Sequence, residues 1–455
     1  MKKQPYNSFW RLGRPEHNTQ YYSINADGEL VINEGHYQYN IHDLIKKYGT
    51  SLEIVLPFVI EQRLEDLFDT FAKHSYLQKY RGKFSYFLPL KTNQNKELVL
   101  PALSEGANLE TSSANELWLI RRLFEQEQFN PDLRLLCNGP KTVSYFSLIN
   151  DLQAKGVNVI PIIEDINELE MLKVYKGEVG IRVELGLRIN SHWDKRVGRF
   201  GLVANEILKL GRIRNLKILH YHIGSQVESL KDMLTAASQA MELFIELKKA
   251  NPSLDTLDLG GGLPVPYDQN QTFTLDQFVS KLLGRIKKMA DHANLSHPNL
   301  IGEWGRYIMA PAQMSIFQVV WDKKITVRTG AKSWYVIDGS FMNDLLDTWA
   351  IHQKWQIVPV NNANSKKLKK VWLAGSSCDS DDKYTAGGGG VLLPDLDSLE
   401  DKQYLAIFDT GAYQDALASH HCLLSSPAKI VLQDGKVTVA RKRETAAEVG
   451  KMFGW

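Results

Sequence analysis

At 455 residues, with 44% hydrophobic and 23% charged side chains, the chain is too long for one ordinary core and suits a barrel of about 250 residues joined to a second domain. A net charge of +2 with 54 basic residues spread along the sequence excludes the basic block of a nucleic-acid binder, and no run of about 18 apolar residues offers a membrane span. Three cysteines, Cys137, Cys378 and Cys422, and a start, MKKQPYNSFW, with no apolar stretch behind its lysines point to reduced thiols and a cytoplasmic protein without a secretory signal.

Taken in chain order, the first patterned segment is YYSINADGELVIN, residues 21–33, where Asp27-Gly28 between apolar runs predicts a hairpin. Residues 1–45 are assigned with it to a β domain. Residues 46–312 have another rhythm: short apolar or β-branched runs, then turn residues, then stretches at helical spacing. Eight runs recur, Phe84–Lys91, Ala107–Thr111, Leu133–Asn138, Asn158–Ile163, Val179–Glu184, Leu216–His222, Leu257–Gly260 and Asn299–Glu303. Strands alternating with helices require a parallel sheet, and eight of them close a (β/α)8 barrel. The clearest helix is predicted over Ala114–Phe124. Ser113 precedes it and Glu116 follows three residues on, a capping-box spacing, while Leu117, Ile120 and Phe124 line one face.

Over 313–455 the texture changes to strand-like pieces, SIFQVVW, SWYVIDG, KKVWLAG, YLAIFDT and KIVLQDGKVTVARK, joined by Gly, Asn, Asp and Pro. They predict a C-terminal β domain, a sandwich or β-barrel that also takes in the N-terminal strands. Gly387–Gly390 is four glycines running. No Gly-Lys-Ser/Thr follows and no helix opens there, so it is expected to be a flexible surface loop rather than a phosphate grip.

A barrel of this type presents its reacting groups at the C-terminal ends of its strands. The first run ends in Lys91; a lysine at the mouth of an apolar barrel is expected to be desolvated, neutral and nucleophilic. The sixth ends in His222-Ile223-Gly224-Ser225 and the seventh in Asp258-Leu259-Gly260-Gly261-Gly262. Bare backbone N–H groups and a serine hydroxyl suit a phosphate. The eighth gives Glu303-Trp304-Gly305-Arg306, a guanidinium for phosphate oxygens and a carboxylate able to keep a pyridine nitrogen protonated. Each group alone has a plain structural reading: a packed histidine, a tight turn, a salt bridge. Their convergence on one barrel mouth is what argues for a site.

With these motifs in order, the chain resembles the alanine-racemase-like (fold-type III) pyridoxal-phosphate enzymes, and within them the ornithine, diaminopimelate and arginine decarboxylases. The resemblance runs over nearly the whole sequence. It implies pyridoxal 5'-phosphate as cofactor, Lys91 as the Schiff-base lysine, His222 as the cofactor-stacking histidine, and Ser225, Gly260, Gly261 and Gly262 as phosphate contacts. Glu303 is matched to the pyridine nitrogen and Arg306 to the phosphate. In the β domain Ser377-Cys378-Asp379-Ser380-Asp381 resembles the family's Cys-Asp motif and Gly411-Ala412-Tyr413-Gln414 its Gly-Ala-Tyr motif, whose tyrosine touches the phosphate. Phe341–Leu345 is a further family word.

The resemblance further implies a homodimer with shared active sites, Cys378 being the acid donated from the partner's β domain and Asp379 or Asp381 accepting the substrate's cationic tip. The wording around GSSCDSDD, FDTGAYQ, MNDLLDTW and LETSSANE is closest to compact bacterial arginine decarboxylases of polyamine biosynthesis. Ornithine, lysine, diaminopimelate or a carboxylated polyamine are the alternative substrates, Arg199 being the candidate cation for a second carboxylate. A regulatory homologue without catalysis is the alternative of another class. Trp304 stands where the family usually has a small residue or proline, and its indole is expected to reshape the pocket.

Overall fold

Every residue is described by the computed structural model except 1–4, 126–131, 186–187, 190–191, 194–198, 268–269 and 397–401. All eight apolar runs become parallel strands: β1 (Phe84–Pro89), β2 (Asn108–Thr111), β3 (Arg134–Cys137), β4 (Asn158–Ile163), β5 (Val179–Arg182), β6 (Leu216–His220), β7 (Thr256–Asp258) and β8 (Asn299–Gly302). They pair in chain order, and β8 returns to β1 through Leu300↔Phe84, Ile301↔Ser85 and Gly302↔Tyr86, closing the barrel. Phe87, Leu136, Ile160, Ile162, Ile218 and Ile301 form one buried cluster of barrel-strand side chains. Each such side chain contributes about 1.5–3 kcal/mol on leaving water.

Six of the eight strands end one or two residues sooner than the apolar runs predict, β2 and β4 being the exceptions. Lys91, Asn138, His222, Gly260 and Glu303 all lie just past the last ladder residue of their strand. Their side chains and N–H groups are thereby freed at the barrel mouth. The predicted helix spans Ala114–Glu125. Ser113 Oγ accepts from Glu116 N–H at 3.2 Å, but the Glu116 carboxylate accepts from Ser112 N–H at 2.7 Å rather than from Ser113, so the capping box closes one residue early.

The second domain is a ten-stranded mixed sheet. Its long strand, Gln313–Lys324, pairs with Ser333–Ile337, Gln403–Ile407 and, from the N-terminal region, Leu52–Val55. Leu52–Val55 also pairs in parallel with Ala428–Gln433. Ahead of it the expected hairpin forms, Tyr22–Ile24 against Leu30–Glu34, and Tyr37–Asn40 adds a third strand. This small sheet meets the β domain at Leu30 N–H, which donates to Val360 O at 2.8 Å. Gly387–Gly390 is a turn between Lys383–Tyr384 and Val391–Pro394, with left-handed φ of 68°, 88° and 71° at Gly387, Gly388 and Gly390. No described helix is long and apolar enough to cross a membrane.

What matters for the site is how the two domains are fastened at the end of β1. Asn93 Nδ2 donates to Gly411 O at 2.9 Å and to Asp415 Oδ2 at 3.2 Å, while Tyr413 N–H donates to Thr92 O at 2.7 Å. Asp415 in turn accepts from the buried Lys429 Nζ at 2.6 Å. A Cβ at Gly411 would lie 2.0 Å from Met309 O, so only glycine allows this approach of the β domain to the barrel. These ties set Tyr413 beside the loop that carries Lys91.

Candidate active site

Lys91 sits in the short turn that follows β1, its side chain 37% open to the barrel mouth. Its Nζ donates to Glu110 Oε2, on β2, at 2.8 Å. Burial pulls the amine down, but the carboxylates of Glu110 and Glu303 outweigh burial and hold it above its ordinary value. The expectation of a neutral amine is corrected accordingly: a fully buried carboxylate on the neighbouring strand keeps the free lysine charged.

His222 lies beyond β6. Its Nδ1 accepts from Gly261 N–H at 3.0 Å, which leaves the ring proton on Nε2. Burial and the Lys91 charge hold this imidazole well below its usual range, so the ring is neutral. Gly260 adopts φ +59°, and a Cβ there would lie 2.2 Å from Tyr221 O. The glycine turn can therefore press against the end of β6 only without side chains.

Glu303 accepts from Asn138 Nδ2 at 2.9 and 3.2 Å through its two oxygens. Beneath it Asp258 Oδ2 and His220 Nδ1 are 2.9 Å apart, and His220 Nδ1 is 3.9 Å from Glu303 Oε1. Asp258 Oδ1 accepts from Gly260 N–H at 3.0 Å, linking this cluster to the glycine turn. Burial, reinforced by Asp258, raises the Glu303 carboxyl, while burial drives His220 down to about 4. Burial raises Asp258 as well, so this carboxyl pair at the base of the mouth is biased toward holding a proton.

Arg306 forms the opposite wall. Its Nε donates to Ser225 Oγ at 3.0 Å, and its Nη1 to Tyr267 OH at 2.7 Å and Asp347 Oδ2 at 2.9 Å. The guanidinium lies 4.6 Å over the Tyr413 ring. Ser225, Tyr267, Arg306, Asp347 and Tyr413 line a cleft of about 560 Å³. A cationic fork and hydroxyls in this cleft, with the Lys91 amine and the Glu303 carboxyl just past the ends of two barrel strands, fit a phosphorylated pyridine aldehyde.

Cys378, Asp379 and Asp381 do not line this cleft. Cys378 is exposed, with its Sγ 3.6 Å from that of Cys422. Asp379 Oδ2 lies 3.8 Å from His421 Nε2. Asp381 accepts from Lys383 Nζ at 3.1 Å and lines an adjoining cleft that shares His352, Gln353 and Lys354 with this one. Their neighbour Asp382 is buried, accepting from Ser340 Oγ, Phe341 N–H and Ser377 N–H, a structural role. Arg199 stacks on Phe200 at 4.3 Å.

Trp304 does not reshape the pocket. Its indole is 1% exposed and packs against Phe71, Phe84 and Phe278, with ring centroids 5.9, 5.8 and 5.6 Å away. Phe71 and Phe278 belong to the helices Pro57–Gln78 and Leu275–His292, so the side chain points into the packing between barrel and helices. Trp304→Ala is expected to lower unfolding free energy by about 3–5 kcal/mol while leaving the visible spectrum of the bound cofactor unchanged. Chemical denaturation and absorbance spectra check both parts.

Glu110, Asn138, His220, Asp258, Tyr267 and Asp347 join the site without having been singled out in the sequence. For Glu110 and Asn138 the signal was present, since both stand at or just past the end of a barrel strand.

A family profile described as pyridoxal-dependent decarboxylase, pyridoxal binding domain, matches residues 68–310. The biosynthetic arginine decarboxylase of Prochlorococcus marinus (strain AS9601) is 26% identical, over 90% of this chain and 83% of that one. The arginine decarboxylase of Avena sativa is 24% identical, over 85% and 78%. Among solved structures, the biosynthetic arginine decarboxylase from Campylobacter jejuni superposes with a TM-score of 0.79 at 22% identity, covering 96% of this chain and 88% of that one. Diaminopimelate decarboxylase from M. jannaschii gives 0.80 at 21%, covering 95% and 97%. Those structural likenesses speak to the fold, and the matched profile, spanning more than half the chain and the barrel whose mouth has just been described, speaks to the cofactor: the chain belongs to the pyridoxal-dependent decarboxylases.

Proposed function

We propose that the chain decarboxylates L-arginine to agmatine and carbon dioxide, in a homodimer whose partner completes each site, and so feeds polyamine biosynthesis. The observation that carries the reading is the split of the motifs: Lys91, His222, Glu303 and Arg306 follow the ends of barrel strands, whereas Cys378 and Asp379 stand exposed or half-buried on a β-domain loop. A two-fold dimer reconciles the two halves, because each copy can lend its β-domain loop to the other's mouth.

In this reading Arg306, Ser225, Tyr413 and Gly262 would hold the phosphate, with Gly260 and Gly261 shaping the turn through their bonds to Asp258 and His222, and Lys91 would anchor the cofactor through its amine. His222, neutral and fixed by Gly261, supplies a flat face for the ring. Bound pyridoxal phosphate supplies an electron sink for the pair left behind as carbon dioxide departs. Glu303, held by Asn138, would face the ring nitrogen and serve as the counter-charge to its proton. Cys378 of the partner subunit would supply the proton for the α-carbon, and Asp379 of the partner subunit would receive the guanidinium. A carboxylate at that end favours a cationic tip over an acidic one. The arginine assignment draws further support from the relatives named as arginine decarboxylases.

Carbon dioxide release from cofactor-loaded protein, with arginine, ornithine, lysine and diaminopimelate offered separately and the amine product identified, tests the assignment. Agmatine should form, with kcat/KM for arginine about tenfold or more above the others. Preference for diaminopimelate would transfer the reading to an enzyme that uses Arg199 for a second carboxylate. Absence of release from all four would leave a cofactor-binding regulatory protein.

A further inference from the structure

We propose that Cys378 and Cys422 are a thiol pair that closes to an intrachain disulfide and thereby switches the site off. The proposal rests on the reading of Cys378 as the proton donor. Three observations carry it.

The two sulfurs lie 3.6 Å apart although the residues are 44 positions apart in sequence, and both side chains are exposed. Bond formation requires an approach of only roughly 1.5 Å, to the ~2.05 Å of a disulfide. The third cysteine, Cys137, is fully buried and its thiol is pushed up to about 11 by burial, so it is inert beside them.

The proximity is built rather than left to two loose loops, because both loops are fastened to the same short segment. The Cys378 loop is held through Asp382, whose carboxylate accepts from Phe341 N–H at 2.7 Å, Ser340 Oγ at 3.0 Å and Ser377 N–H at 3.1 Å. The Cys422 turn is held through Asn343, whose Nδ2 donates to His421 O at 2.9 Å and whose Oδ1 accepts from Ser419 Oγ at 3.2 Å. Ser340–Asn343 therefore sets the spacing of the two thiols. Cys422 and Leu423 adopt left-handed φ of 57° and 54°, which turns the Cys422 side chain out of regular helical order.

The chemistry needs a small two-electron oxidant, and hydrogen peroxide supplies it. One sulfur, as thiolate, attacks a peroxide oxygen; the O–O bond breaks, hydroxide leaves and takes up a proton as water, and a sulfenic acid forms. The second sulfur attacks the first; the S–O bond breaks, a second water leaves, and the disulfide forms. Two thiols lose two electrons and two protons, and one peroxide becomes two waters. Dithiothreitol reverses the change by thiol–disulfide exchange. Oxidised Cys378 has no proton to give, and Asp379 beside it is drawn toward the Cys422 turn.

Holoenzyme titrated with peroxide, alkylated and digested tests this. A peptide pair linking Cys378 to Cys422, lighter by two hydrogen atoms than its parts, should appear in step with a loss of activity of about tenfold or more, and dithiothreitol should reverse both. Cys422→Ser should keep basal activity, give no linked peptide, and need about fivefold more peroxide for equal inactivation. No linked pair at doses that consume both thiols, or a covalent dimer on a non-reducing gel in its place, would overturn the disulfide; if Cys378→Ala is then inactive, the donor role stands without it. A linked pair with undiminished activity would overturn the switch and remove Cys378 from the proton-donor role as well.

Discussion

Replacing Lys91 by arginine or alanine is expected to cut turnover by roughly a thousandfold or more, and borohydride should no longer fix the cofactor to the protein. The two variants separate chemistry from stability. Lys91→Ala strips the charge from above Glu110, a fully buried carboxylate whose other neighbour is Ser112 Oγ at 2.6 Å, and should lower stability by about 1–3 kcal/mol as well. Lys91→Arg keeps a cation against Glu110 but cannot form the covalent link. Loss of the link and of turnover in both, with the stability loss confined to alanine, is the predicted pattern. Borohydride fixation surviving in either variant would place the anchor elsewhere.

Glu303→Gln should slow turnover by about 10²–10³-fold while leaving the cofactor attached. The reason lies in the stack below the mouth. Burial and Asp258 raise the Glu303 carboxyl, and Asn138 holds its oxygens in place. A glutamine preserves the shape but cannot supply a negative counter-charge to a protonated ring nitrogen. The loss should fall on kcat with KM little changed, since Glu303 is assigned to the ring nitrogen and not to the substrate. Steady-state kinetics within tenfold of the parent protein would remove Glu303 from the role.

Much of this site could be read before any coordinates because a parallel barrel converts linear order into position. Each apolar run announces a strand, and whatever follows its last ladder residue stands at the mouth; Lys91, His222, Glu303 and Arg306 were legible for that reason. Glu110 could have been found by the same rule; it lies at the end of β2 in LETSSANE, a word that marks the resemblance without giving this carboxylate a role. Side-chain direction was less legible. Trp304 adjoins Glu303, yet its indole turns outward to Phe71 and Phe278 while the carboxylate turns in, and nothing in the four-residue word fixes which way each points. Pairings across long separations were not legible at all. Asp347 meets Arg306 from 41 residues away, and Cys422 meets Cys378 from 44, because those distances depend on how β-domain loops pack, which carries no periodic signal. The charge of Lys91 was misjudged for a related reason: an apolar strand implies desolvation, but the carboxylate that outweighs it belongs to the next strand.

The central claim is that each working site takes its cofactor lysine from one chain and its acid from another. Lys91→Ala and Cys378→Ala proteins, each inactive or nearly so alone, should recover agmatine formation when dissociated together and reassociated. Half of the random dimers are then mixed, and each mixed dimer holds one intact site of two, so activity should approach roughly a quarter of the parent value. Mixed dimers that form and remain inactive, or a Cys378→Ala protein as active alone as the parent, would contradict the shared site.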